Sequence, residues 1–122
     1  VQVHAFIENM AAAFAAADLV IARSGASTTA ELALMHKPSI LVPYPHAVDD
    51  HQTSNARYLA DSGAALLLPE KDLTRESLAR LLRELYVSRQ RLLEMARHAR
   101  MQAKPQATAD VANACLEAAY AG

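Results

Sequence analysis

Two stretches of this chain gather side chains able to handle a polar ligand. The first, from Ala22 to Glu31, is ARSGASTTAE. A glycine beside small hydroxyl residues suits a sharp passage from strand into helix. The free N–H groups of Ala26, Ser27, Thr28 and Thr29, with the positive end of the helix dipole, would then face whatever lies beyond. Ala26 is small enough for a ligand to approach the backbone. The hydroxyls of Ser27 and Thr28 could donate to a diphosphate or a sugar, and Glu31 could accept from both hydroxyls of a ribose. The same residues also suit plain capping: Thr28 and Glu31 spell a T-x-x-E box, and a first-turn glutamate is favoured by the dipole.

The second stretch, PYPHAVDDHQ, crowds His46, Asp49, Asp50, His51 and Gln52 into one loop. Imidazole and carboxylate both bind metals, but the spacing matches no metal site and the prolines suggest a fixed loop, so neither metal nor cofactor is expected. At a helix start, His51 and Gln52 could hydrogen-bond sugar hydroxyls, while Asp49-x-x-Gln52 equally fits a capping pair. Ser24 lies in no G-x-S-x-G elbow, and no catalytic residue is nominated. After Ile7, an exposed backbone N–H and C=O could read the edge of a planar base, with an ordinary strand end as the alternative.

For these segments to meet, the chain must bring strand ends together, and its pattern does so. Short apolar runs alternate with segments of helical period, the mark of a parallel α/β sheet, whose ligands bind at the carboxyl ends of the strands. Strands are expected over Val1–Ile7, Leu19–Ala22, Ser39–Val42 and Ala64–Leu68. Helices are expected over Glu8–Ala17 (Met10, Phe14 and Ala17 on one face), Ser27–His36 and His51–Ser62, the last ending at Gly63 as a C-terminal cap. From Thr74 onward, Leu78, Leu81, Leu82 and Leu85 mark one helical face, and Leu92, Met95, Ala96 and Ala99 another. A terminal helix after Pro105 would carry Val111, Cys115 and Ala118 inward.

Composition bounds the rest. The 122 residues, 52% hydrophobic and 20% charged, suffice for one domain with a core. A net charge of −1 supplies no cationic field for nucleic acid, which is not an expected partner. Arg89, Arg91, Arg97, Arg100 and Lys104 are read as a solvated basic face. The single cysteine, Cys115, fits a reducing, cytoplasmic setting as a packed apolar residue, and the longest apolar stretch, Met10 to Ala17, is too short to span a bilayer. The three glycines, Gly25, Gly63 and Gly122, allow neither a G-x-G-x-x-G turn nor a Walker loop.

The run from Phe6 to Ala65 combines an F-I-x-x-M entry, an R-S-G-A-x-T-x-x-E turn and a P-x-x-H…D-H-Q-x-x-N-A segment, in that order. In this it resembles the C-terminal nucleotide-sugar domain of the MurG family, bacterial N-acetylglucosaminyltransferases that convert lipid I, an undecaprenyl-linked muramoyl-pentapeptide, into lipid II. The resemblance implies a Rossmann-like parallel sheet flanked by helices, the later part of the C-terminal domain of a GT-B glycosyltransferase. It implies that the backbone at Ile7 reads uracil, that Ala26, Ser27, Thr28 and Thr29 contact the sugar and phosphates, that Glu31 binds the ribose, and that Gln52, helped by His51, binds the donor sugar. The implied reaction is an inverting displacement: the acceptor's 4-hydroxyl attacks the anomeric carbon of UDP-N-acetylglucosamine, and UDP leaves.

The family's phosphate loop of G-G-S type is not found here, nor are the glycine-rich loops and expected base of its acceptor domain. Residues 1–122 are accordingly expected to be a partial C-terminal domain, with lipid I bound by an N-terminal domain outside the chain. The full-length enzyme would be peripheral on the cytoplasmic face of the inner membrane. A non-catalytic UDP-sugar-binding subunit working with a membrane partner, or another UDP-sugar transferase or epimerase of the same fold, remain the alternatives.

Overall fold

A computed structural model describes residues 2–46 and 51–103. Three short strands, β1 (Val20–Ala22), β2 (Ser39–Leu41) and β3 (Ala65–Leu67), pair in parallel in the order β1-β2-β3, with Ile21 opposite Ile40 and Ile40 opposite Leu66. Bonds from Val42 N–H to the Ala22 carbonyl and from Leu68 N–H to the Leu41 carbonyl, each 2.9 Å, extend the ladder past its carboxyl end. Parallel strands need crossovers. Here α2 (Ala26–Leu34) links β1 to β2, and α3 (His51–Asp61) lies between β2 and β3.

Helices cover the sheet on both sides, so β2 is buried throughout. On one side, Leu41 and Ala65 pack with Leu32 and Ala33 of α2 and Ala56 and Leu59 of α3, and Phe14 of α1 (Met10–Ala16) closes over them. On the other, Ile40, Val42 and Leu68 meet Leu85 of α4 (Arg75–Tyr86) and Met95 of α5 (Arg89–Gln102). Alternate residues of each strand thus feed opposite layers, as the pleat requires. The Rossmann-like arrangement is the expected one, and the apolar runs Leu19–Ala22, Ser39–Val42 and Ala64–Leu68 are its strands, trimmed at their ends.

Several expectations change. Residues 2–7 form no strand among the described residues: Val3 is 91% exposed and Phe6 79%, and neither has a neighbouring strand to complete its hydrogen bonds. The helix expected over 8–17 is shorter, because Asn9 caps it by accepting from Ala12 N–H at 3.0 Å, and Met10 is exposed although Phe14 packs inward. α2 stops at Leu34, and His36 turns left-handed (φ 56°) ahead of Pro38. Leu82 is exposed where its periodic partners Leu78, Leu81 and Leu85 face the core. A 3-10 turn at Glu70–Asp72, absent from the sequence pattern, precedes α4, whose Thr74 and Ser77 form a reciprocal capping box. The expected terminal helix with Val111, Cys115 and Ala118 lies outside the described residues.

A buried serine joins the elements that matter for the ligand edge. Ser24, wholly buried between β1 and α2, donates its hydroxyl to the Gln52 carbonyl in the first turn of α3, and its own carbonyl accepts from Asn55 Nδ2 at 3.0 Å. Gln52 in turn accepts at Oε1 from Tyr44 N–H at 2.8 Å. One buried residue therefore sets α2, α3 and the loop after β2 relative to one another.

Gly63 ends α3 as the sequence suggests. It adopts φ +89°, and the bonds from Gly63 N–H to Ala60 and from Ala64 N–H to Leu59, both 3.0 Å, close the last turn. A Cβ there would stand 2.5 Å from His98 Nδ1 on α5. Gly63→Ala is expected to destabilise the protein by about 1–3 kcal/mol, the cost of a left-handed non-glycine residue plus displacement of His98, measurable by urea denaturation. Ser24→Ala should cost about 1 kcal/mol by the same measurement, and Ser24→Val more, because its branched side chain must also displace α3.

Candidate functional site

The carboxyl ends of β1, β2 and β3 release three segments on one edge: Arg23 to Gly25, Val42 to His46, and Leu68 to Glu70. α2 starts at this edge with Gly25 as its N-cap, in an extended conformation (φ −61°, ψ 154°) and with no side-chain cap. Any residue can adopt that geometry, so the sharp turn does not require glycine here. Glycine instead leaves space, since a Cβ at Gly25 would meet nothing within 4 Å. The N–H groups of Ala26, Ser27 and Thr28 head the helix without an intrahelical or side-chain acceptor, where donors and dipole favour an anion.

This start overturns the capping alternative for Glu31. With Gly25 at the cap, Thr28 lies inside the first turn, and the T-x-x-E box does not form. Glu31 is exposed, and its Oε1 accepts from Ser27 Oγ at 3.3 Å. Thr29 behaves differently: its hydroxyl lies 3.1 Å from the Gly25 carbonyl and 3.0 Å from that of Ala26, facing its own backbone. Glu31 therefore stands in solvent one turn behind the open N–H groups, held lightly by Ser27 and still able to accept from a diol.

Across from this turn, α3 presents His51 and Gln52 at its start. The Gln52 amide oxygen is engaged by Tyr44 N–H, which leaves its NH2 group to donate outward. Asp49 and Asp50, and with them the proposed Asp49–Gln52 capping pair, lie outside the described residues. Asn55, one turn further along α3, was given no role by the sequence, yet it lines a small cavity with Ala26 and Thr29 while its Nδ2 holds Ser24. The available signal was its three-residue spacing from Gln52, which places both on one helix face.

The remaining neighbours brace the loop. Arg23 pairs with Glu70 at 2.8 Å, approaches the Val42 and Pro43 carbonyls, and lies 5.5 Å from the Tyr44 ring centre; His46 meets Tyr44 edge-on at 5.5 Å. With both partners of the ion pair well exposed, it adds at most about 1 kcal/mol. No hydrogen bond among the described residues ties Ile7 to α2 or α3. Among the described residues no group of three His, Cys, Asp or Glu side chains is placed to hold a metal, and no helix is long and apolar enough to cross a membrane.

Known proteins share this arrangement. Residues 1–111 match the family described as the glycosyltransferase family 28 C-terminal domain. A UDP-N-acetylglucosamine--N-acetylmuramyl-(pentapeptide) pyrophosphoryl-undecaprenol N-acetylglucosamine transferase of Azoarcus sp. (strain BH72) is 60% identical over 114 residues, covering 93% of this chain and 32% of the relative. A protein of the same name from Burkholderia cenocepacia (strain J2315) is 55% identical over 116 residues, covering 95% and 31%. The crystal structure of Acinetobacter baumannii MurG superposes with a TM-score of 0.85 at 46% identity, over 95% of this chain and 35% of that one. The chain thus spans about a third of the length of the relatives it matches. With the matched region taking in the strand-turn-helix edge just described, this chain belongs to the glycosyltransferase family 28 C-terminal domain family.

Proposed function

We propose that this chain is the donor-binding part of a transferase that moves N-acetylglucosamine from UDP-N-acetylglucosamine to a muramoyl-pentapeptide carried on undecaprenyl diphosphate, a step of peptidoglycan synthesis. The observation that carries the reading is the start of α2: N–H groups without a cap, open space over Gly25, and Glu31 exposed one turn behind. The relatives' printed names support the substrates.

In this reading the N–H groups of Ala26, Ser27 and Thr28 receive the sugar and diphosphate, and Glu31 accepts from the ribose hydroxyls. The Gln52 NH2 group and His51 orient the donor sugar, and the backbone at Ile7 meets uracil. Thr29 keeps the first turn of α2 closed through its hydroxyl. As the acceptor hydroxyl attacks the anomeric carbon, negative charge grows on the departing UDP. The N–H groups and dipole of α2 already point at that charge and need no reorganisation to stabilise it. The base and the site for the acceptor's lipid and diphosphate belong to the rest of the protein, which would work at the cytoplasmic face of the membrane.

Glu31→Ala in the complete protein is expected to raise the KM for UDP-N-acetylglucosamine about 10- to 100-fold, the loss of charge-assisted hydrogen bonds to a diol, with Glu31→Gln intermediate. An unchanged donor KM in steady-state kinetics would remove the ribose assignment. Gly25→Ala separates binding from folding. Its φ and ψ suit alanine and its Cβ meets no protein atom, so stability should stay within about 1 kcal/mol in urea denaturation, while donor affinity falls in calorimetry as the new methyl enters the ligand space.

A further inference from the structure

The same sheet edge holds a second cleft at its β3 end, which the donor reading leaves unused. Its walls are apolar and stiff: Pro43 and Pro45 from the loop after β2, and Leu67 and Pro69 from the end of β3. Two cations border it, Arg57 on α3 and Lys71 in the 3-10 turn, around a cavity of about 300 Å³. Both are exposed, and neither has a carboxylate within ion-pair distance among the described residues. Glu70 also lines the cleft and pairs with Arg23, so the described lining sets two cations against one carboxylate that is already matched.

A proline-walled slot bordered by two cations that have no ion-pair partner among the described residues suits an extended chain end that carries a carboxylate. The uncapped start of α2, which follows β1, is a separate feature of the edge: none of its residues lines this cleft. The relatives' names specify an acceptor that carries a pentapeptide, and a peptide attached through its amino end presents a free terminal carboxylate. We propose that the cleft of Arg57 and Lys71 receives the carboxylate end of the acceptor's peptide. This rests on the transferase reading above, since the peptide arrives only with that acceptor.

The test is steady-state kinetics on the complete gene product with two acceptors, one with its peptide carboxylate free and one amidated there. The double substitution Arg57→Ala, Lys71→Ala is expected to raise the KM for the free-carboxylate acceptor about tenfold and leave the donor KM unchanged. Amidation should raise the wild-type KM by a similar factor and make it insensitive to the double substitution, the coupling that a direct contact requires. The charge-preserving pair Arg57→Lys, Lys71→Arg should restore most of the affinity, which separates lost charge from lost folding. Equal effects on both acceptors, or a change confined to the donor KM, would overturn the proposal while leaving the transferase reading intact. Absence of transfer by the unaltered protein to either acceptor would overturn both.

Discussion

A wholly buried hydroxyl and carbonyl at Ser24 must find partners inside the protein, and the arrangement of the ligand edge depends on where they find them. Both go to α3, the hydroxyl to the Gln52 carbonyl and the carbonyl to Asn55. An unmet polar group at that depth would cost about 1–3 kcal/mol, so the start of α3 is held against the turn that launches α2. Gln52 then reaches the loop after β2 through Tyr44 N–H. Arg23 makes a more conspicuous web at the same edge, but its ion pair is exposed to water, and its effect is correspondingly small. The quieter buried contact outweighs the visible salt bridge.

Burial alone does not explain Ser24. Ser39, at the start of β2, is just as fully buried, and its hydroxyl has no partner among the described residues. The two serines differ in what their neighbours offer. Ser39 sits in a strand whose backbone groups are taken by the sheet and whose flanks are apolar. Ser24 sits one residue past a strand end, where chain direction changes and backbone groups fall free. A ligand edge built from strand ends has such free groups in number, and Ser24 uses the first turn of α3 to meet its share of them.

The layered fold was legible because its signals are local. Apolar runs of four or five residues closed by turns gave β1, β2 and β3, and Gly63 marked the end of α3 through a left-handed turn that few other residues tolerate. Residues 2–7 had the same apolar look and form no strand, since a strand exists only where another lies beside it. At the start of α2 the run of small residues left two readings open, free N–H groups from Ala26 onward or a T-x-x-E cap at Thr28, and the structure caps the helix at Gly25, which leaves the first. Asn55 was legible in part: its spacing from Gln52 puts both on one face of α3 but does not say what it binds. Its role comes from a carbonyl 31 residues earlier in the chain, which no spacing along the sequence encodes.

The charge arithmetic of the sequence was blind to the way this edge handles anions. A net charge of −1 argues against a broad cationic surface, and that argument is sound as far as it goes. It does not count helix dipoles, and the uncapped N–H groups of α2 carry no formal charge at all. Nor does it count position: Arg57 and Lys71 line one cleft together, where Glu70 is matched by the Arg23 guanidinium. In the function proposed here, two anion-attracting features on one edge would hold a diphosphate and a carboxylate without either occupying the other's place. A sugar-transfer site with a charged donor and a charged acceptor needs that separation, because like charges brought into one pocket would repel most strongly when water is excluded for the reaction.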